Sequence, residues 1–239
     1  MNPLEKTFGR HKVLLPVIHA TDIWQVRENI DVAHQAGADG VFLINHAMGY
    51  PELVEIYHIV KKEFPRLWIG LNFLGVGSDR IPELVKETEV DGLWRDDAGL
   101  REDLMNPAVH AEEFWESLGK RRHPPIWDGL YFGGVAFKYQ RKVNDLEKVA
   151  AASVGLMEVI TTSGDATGSP PDIGKILRMR QAIGDWPLAI ASGITPENVE
   201  PYLTPCDAFL VSTGISYDEV MLNPFRTKEM VDVIRGHRA

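Results

Sequence analysis

"PLAIASGITPENVEPYLTPCDAFLVSTGIS", residues 187–216, decides the fold. It holds two apolar runs, each closing in small hydroxyl residues around a glycine: Ser192-Gly193-Ile194-Thr195, then Ser212-Thr213-Gly214-Ile215-Ser216. "PENVEPYL" lies between them and reads as a helix, with Thr195 as its N-cap and Pro196 at the first helical position. Strand, glycine turn, helix, strand, glycine turn is the pattern of parallel strands joined by crossover helices.

The pattern extends back to the N-terminus. Apolar, β-branched runs recur at 12–20, 40–47, 67–75, 90–97, 128–139 and 156–164. Between them lie segments with helical spacing: "DIWQVRENIDVAHQAG" with Gly37 as C-cap, "PELVEIYHIVKKEF" with Pro51 in its first turn, "SDRIPELVKETE" capped by Ser78 or Asp79, "HAEEFWESLGKRR", "NDLEKVAAASVG" and "PPDIGKILRMRQAIG" with Asp172 in its first turn. "NPFRTKEMVDVIRGH" supplies a last helix. The phrases "AGADGVFL", "EVDGLW", "WDGLYF" and "CDAFLV" repeat a small or acidic residue just before a strand. Eight such units in 239 residues predict an α/β fold, a single (β/α)8 TIM barrel in one domain over 1–239.

Composition agrees with a globular chain, 44% hydrophobic and 25% charged. A net charge of −9 argues against nucleic acid or an anionic membrane surface as partner. No apolar run approaches the roughly 20 residues of a spanning helix. One cysteine, Cys206, excludes a disulfide framework and a cysteine-only metal cluster. "MNPLEKTFGRHK" lacks the apolar stretch of a secretory leader, and a cytoplasmic location is expected. Trp24, Trp115 and Tyr202 are candidates either for a homo-oligomer contact or for the core.

In such barrels chemistry gathers where strands end. Here those ends carry His19, Asn45-His46, Asn72, Arg95-Asp96-Asp97, Lys138 and Thr161-Thr162-Ser163-Gly164-Asp165, followed by the two glycine turns. Loops after strands seven and eight often hold a phosphate, because glycine lets backbone N–H groups approach an anion and a short extra helix adds its dipole. "GISYDEVM" is the candidate for that helix. Ser192, Gly193, Thr213 and Gly214, joined by Ser163 and Gly164, are therefore the expected phosphate-binding residues. His19, His46, Asp96 and Lys138 are the catalytic candidates. The histidines titrate near neutrality, Asp96 is a candidate base, and Lys138 suits an anion partner or, desolvated, a base or Schiff-base nucleophile. Asn45, Asn72, Arg95 and Thr161 are candidates to bind the rest of the substrate. "TTSGDATGSPPD" (161–172) is a candidate closing loop. No cofactor motif is legible, and G-x-G-x-x-G is absent between an early strand and its helix. A divalent metal held by Asp96, Asp97 and His46 stays open.

The phrases "EVITTSGDATGSPPDIGK", "ASGITPENVEPYL" and "LVSTGIS…NPF" resemble the BtpA family over roughly residues 156–235. "PVIHA" at strand one is a loose echo of that family's opening, and its proline- and glycine-rich first loop is replaced here by "ATDIWQ". The resemblance implies a phosphate-binding TIM barrel. "ITTSGDATG" is also similar to strand six of deoxyribose-phosphate aldolase, but Thr161 stands where that enzyme has its Schiff-base lysine, which counts against an aldolase of that design. At fold level alone the reading is similar to phosphoribosylanthranilate isomerase and the thiamin phosphate synthases. Two functions follow as expectations. One is an isomerase, lyase or transferase acting on a small phosphorylated metabolite of sugar-phosphate or phosphoribosyl type. The other is a non-catalytic, BtpA-type ligand-binding or assembly protein.

Overall fold

A computed structural model describes residues 2–237. The elements run α1 (Pro3–Phe8), β1 (Val13–His19), α2 (Ile23–Ala36), β2 (Val41–Ile44), α3 (Tyr50–Glu63), β3 (Ile69–Asn72), α4 (Ile81–Thr88), β4 (Gly92–Arg95), α5 (Val109–Ser117), β5 (Leu130–Gly134), α6 (Leu146–Ser153), β6 (Val159–Thr162), α7 (Ile173–Ile183), β7 (Leu188–Ile190), α8 (Glu200–Leu203), β8 (Ala208–Val211) and α9 (Pro224–Gly236). All neighbouring strands pair in parallel, and β1 pairs with β8 to close the barrel.

The acids before the strands are the device that orders the closed end. Asp39, Asp91, Glu158 and Asp207 each precede an even-numbered strand. Each accepts a backbone N–H from the odd-numbered strand before it: Leu14 (2.9 Å), Ile69 (2.8 Å), Tyr131 (2.8 Å) and Leu188 (2.9 Å). Each also meets a cation: Arg10 (3.3 Å), Lys61 (2.5 Å), Lys120 (2.8 Å) and Arg180 (2.5 Å) respectively. Three of the four repeated phrases mark these acids. In the fourth, Asp128 is exposed and Glu158 takes the role instead.

The register staggers successive strands, so inward side chains of alternate strands meet in layers. Phe42, Trp94, Thr161 and Leu210 make one layer. Val17, Asn72, Gly134 and Ala191 lie above it, towards the C-terminal ends. Lower down the interior is aromatic. A Cβ on Gly70 would stand 2.2 Å from the Phe42 ring, and one on Gly92 would stand 2.2 Å from Trp68. These two glycines make room for large rings inside the barrel. A second apolar shell, including Ile30, Leu53, Val85 and Met179, fills the space between strands and helices.

The structure corrects several expectations. The strands are shorter than their apolar runs, and α1 was not foreseen. No helix forms over "GISYDEVM" beyond one 3-10 turn, Thr213–Ile215. Asp218 instead caps the N–H groups of Val220 (2.9 Å) and Met221 (2.8 Å), and Gln25 and Asn29 of α2 hold the Val220 carbonyl. "PENVEPYL" yields only Glu200–Leu203 as helix. There Thr195 is no N-cap. Its N–H donates to Asn198 Oδ1 at 2.8 Å, in a single turn that precedes α8. Arg80, not Ser78 or Asp79, stands at the N-cap of α4. Gly37 is the left-handed C-cap of α2, and Asp172 is the N-cap of α7, accepting from Lys175 N–H at 3.1 Å.

Candidate functional site

A cavity of about 220 Å³ opens at the C-terminal end of the barrel. Its floor is apolar, with Trp94 and Leu210 from one layer and Val17 and Ala191 from the layer above. Ala191 leaves the upper layer short of side-chain volume beside the cavity, whereas the position a Cβ on Gly134 would take is filled by the Asp96 carbonyl oxygen, 2.0 Å away. His19, His46, Asp96 and Lys138 surround the mouth, Thr167 and Gly168 of the β6–α7 loop cross it, and the turns after β7 and β8 form the remaining wall.

That wall carries Ser192, Gly193, Ile194, Ser212, Thr213 and Gly214. Among the described residues, the backbone N–H groups of Gly193, Ile194, Thr213 and Gly214 make no hydrogen bond. Ile194 and Gly214 are buried, Gly193 is half-buried and Thr213 is exposed, and an unpaired N–H at the buried positions is costly unless something accepts from it. Asn198 Nδ2 holds the Gly193 carbonyl at 2.9 Å, so the Ile194 N–H of the same planar peptide unit points the opposite way. Arg226, paired with Glu197 at 2.8 and 2.9 Å, holds the Gly214 carbonyl at 3.0 Å. The glycines are also demanded by packing. Gly193 has φ +65° and its Cβ would lie 2.1 Å from the Pro170 nitrogen, while a Cβ on Gly214 would lie 1.9 Å from the Ile194 carbonyl oxygen.

The charged groups are held from several strands. The rings of His19 and His46 stack at 4.6 Å, 3° from parallel. Burial, the other histidine and Lys138 lower His19 to about 4, and burial also lowers His46, so both favour the neutral form. Burial raises the Asp96 carboxyl, against the opposing hydrogen bond from Asn72 Nδ2 at 3.1 Å. Burial likewise lowers the Lys138 ammonium, opposed by Asp96. Lys138 lies beyond β5 in the β5–α6 loop, where Nζ donates to Thr167 Oγ1 at 3.3 Å. Two non-glycine residues in the left-handed region flank it, Ala136 (φ +49°) and Tyr139 (φ +59°). Such a loop persists only when its surroundings over-determine it. Lys175 Nζ does so from α7, donating to the carbonyls of Ala136 and Ser163, both at 2.6 Å.

Several expected residues stand elsewhere. Asn45 points between loops, accepting from Leu74 N–H (2.7 Å) and donating to the Leu74 carbonyl (3.2 Å). Arg95 turns outward over the Phe114 ring, 4.0 Å from its centre, and donates to Ser78 Oγ at 2.6 Å. Ser163 Oγ is used between loops, accepting from Lys138 N–H at 2.8 Å, and a Cβ on Gly164 would meet the Ser169 carbonyl at 2.1 Å. Neither lines the cavity. Thr161 lies in the Trp94 layer beneath it, fully buried, its hydroxyl without a partner. Asn72 reaches the site only through Asp96. Asp97 turns to Gly99 N–H at 2.7 Å, and among the described residues no three His, Cys, Asp or Glu side chains form a metal-ligating group. The loop over 161–172 is tied down by Ser192 Oγ on the Ala166 carbonyl (3.0 Å) and by Tyr139 Oη on Thr167 N–H (3.1 Å). Trp24 is exposed, Trp115 packs on the core, and Tyr202 is buried with its hydroxyl on the Pro171 carbonyl at 2.7 Å. Trp94, Phe137, Tyr139, Thr167, Ser212 and Lys175 were missed. Trp94 was detectable by alternation, two residues before Asp96.

The fold is that of the (β/α)8 barrels. Phosphoribosyl anthranilate isomerase from Thermus thermophilus superposes with a TM-score of 0.66 at 12% identity, over 95% of this chain and all of that one (100%). Tryptophan synthase subunit alpha from Legionella pneumophila gives 0.65 at 15% identity, over 99% and 100%. Thiamine phosphate pyrophosphorylase from Pyrococcus furiosus gives 0.62 at 14% identity, over 95% and 96%. An uncharacterized protein of Thermococcus kodakarensis is 30% identical over 114 residues, 45% of this chain, which thus spans 42% of that relative's length. No family model matches the chain. Among the described residues no helix is long and apolar enough to cross a membrane.

Proposed function

We propose that this barrel is an enzyme acting on a small phosphorylated metabolite, with the phosphate on the N–H groups of Gly193, Ile194, Thr213 and Gly214. The observation that carries this reading is the unpaired amide wall facing the same cavity as Asp96 and Lys138. Asp96 is the proton-transfer group, oriented by Asn72, and Lys138 supplies positive charge to the substrate. The neutral His19–His46 stack offers a second proton acceptor. Opposed shifts on neighbouring titratable groups in one cleft favour catalysis over simple binding. The reaction belongs to the isomerase, lyase or transferase classes, in which moving a proton suffices or assists. Kinship with BtpA-type barrels rests on the turn motifs over residues 156–235 and is part of the same proposal, as is a cytoplasmic location.

The test is a thermal-shift series in which each phosphorylated metabolite is paired with its dephosphorylated form. A ligand at 100 times its Kd stabilises by about 2.7 kcal/mol. Shifts confined to phosphorylated compounds support the amide cup, and equal shifts by both forms overturn it. With a responding compound in hand, Asp96→Asn is expected to keep the shift and lose turnover by about a hundredfold or more. Undiminished turnover removes Asp96 from the mechanism.

A further inference from the structure

Resting on the phosphate reading, we infer that the substrate is a phosphorylated carboxylic acid, whose carboxylate is held at the cavity mouth by Lys138 and Thr167, with Tyr139 placing Thr167.

Lys138, Tyr139 and Thr167 all line the cavity, and their polar atoms converge. Thr167 Oγ1 accepts from Lys138 Nζ at 3.3 Å and from Tyr139 Oη at 3.4 Å. Thr167 N–H donates in turn to Tyr139 Oη at 3.1 Å, which fixes the residue over the mouth. With its oxygen accepting twice, the Thr167 hydroxyl keeps its own proton for a further acceptor. Lys138 is half-buried, and among the described residues its ammonium makes no ion pair. A half-buried cation whose hydrogen-bond partner is a neutral hydroxyl is short of an anion. The charge acts inward, since Lys138 contributes to lowering both His19 and His46. Those histidines favour the neutral form, which leaves Lys138 as the full cation lining the cavity.

Topology separates this donor pair from the phosphate. Lys138 follows β5 and the amide wall follows β7 and β8, with β6 between. Neighbouring strands lie about 4.8 Å apart, so the two anchors stand roughly 10 Å apart at their strands. A phosphate on the amides therefore leaves the ammonium and the Thr167 hydroxyl to the other end of the ligand. One charge and one neutral donor, side by side, match a monoanion with two oxygens. A second phosphate, with three oxygens and a higher charge, would be left short of donors. Asp96 stands by the same mouth with its carboxyl already pushed up by burial, and a ligand carboxylate nearby favours its protonated form further. The ligand thus loads the proton-transfer group as it binds.

The experiment is calorimetric titration of the whole protein with inorganic phosphate and two matched pairs: 3-phosphoglycerate with glycerol 3-phosphate, and 6-phosphogluconate with glucitol 6-phosphate. Within each pair a carboxylate replaces a hydroxymethyl group and nothing else changes. In at least one pair the acid is expected to bind about tenfold tighter or more, the worth of one charge-assisted contact. Lys138→Met should bring that advantage to within about twofold while the alcohol keeps its affinity to within about threefold. Lys138→Arg, which retains the cation, should keep an advantage of about threefold or more. Thr167→Val, isosteric but lacking the hydroxyl, should weaken the acid about threefold and leave the alcohol unchanged. If acid and alcohol bind equally in both pairs, this inference falls and the phosphate cup stands. If Lys138→Met weakens acid and alcohol alike, the lysine serves the phosphate and this inference falls. If no probe binds, inorganic phosphate included, the cup falls and this inference falls with it.

Discussion

Lys175→Met tests whether the mouth of the site is held in place from behind. The Lys175 ammonium donates to the Ala136 and Ser163 carbonyls at 2.6 Å each, and it is buried enough to be lowered from 10.5 to about 8. Two charge-assisted hydrogen bonds favour the fold by about 1.5–3 kcal/mol each. Against this, the lowered value corresponds to roughly 3 kcal/mol of penalty on the charged form. The two nearly cancel, so Lys175→Met should cost only about 1–2 kcal/mol of global stability at pH 7.5. Its pH dependence is the sharper signature. Because the folded value lies below the unfolded one, the unfolded chain holds more protons between about pH 8 and 10.5, and stability from this group rises across that window. Wild type should therefore gain about 2 kcal/mol on the variant between pH 7.5 and 10, read from urea unfolding at both values. Ligand binding reports the positioning role. Ala136 and Tyr139 hold left-handed conformations at about 1–2 kcal/mol each, and without Lys175 they relax and release Lys138. A responding phosphate ligand should bind about tenfold more weakly to a variant that stays folded. A stability difference that ignores pH refutes the buried-ammonium account, and an affinity within twofold of wild type refutes the positioning role.

Gly193→Ala places a Cβ 2.1 Å from the Pro170 nitrogen at φ +65°, and should cost about 2 kcal/mol or more in urea unfolding. Gly168→Ala is the control, because φ there is +77° but nothing lies within 4 Å, leaving only about 1 kcal/mol of strain. The His19 imidazole should titrate near 4 by NMR. With its folded value below the unfolded 6.5, its contribution is present above pH 6.5 and is lost as pH falls through that window towards 4. A midpoint near 6.5 would mean that the histidine stack is hydrated.

The barrel was legible because each strand announces itself twice, by an apolar run and by a polar or glycine end. His19, His46 and Asp96 were legible for the same reason: they continue the inward phase of β1, β2 and β4 past the core. Asn45 and Arg95 sit one residue out of that phase and so face the helix side, which strict alternation would have revealed. Thr161 keeps the inward phase but lies one layer too deep. Ser163 keeps it at the right height, yet its hydroxyl is taken by the Lys138 N–H, a contact set by two loops meeting. Lys138 was recognised by type, although β5 ends at Gly134 and the loop carries it to the mouth. Lys175 left no local signal. It stands in a helix's first turn like any surface lysine, and only tertiary packing turns it onto two loop carbonyls.

The two ends of this barrel divide their tasks by symmetry. At the N-terminal end the motif repeats by quarters: an acid before each even strand, an N–H from the strand before it, a cation beside it. Repetition there means that closure rests on four equivalent clamps, none of which touches the cavity. At the C-terminal end no motif repeats by quarters, and what recurs is confined to adjacent strands. Glycine turns and free amides belong to β7 and β8, the histidines to β1 and β2, the carboxylate to β4 and the strained cationic loop to β5. Such asymmetry does nothing for closure and is what a bound molecule with distinct ends requires. Substitutions at Asp96, Lys138 or Trp94 should then change what binds while the clamps keep the barrel shut. Loss of folding from those conservative changes would mean that the upper end is structural and that its polar groups face no ligand.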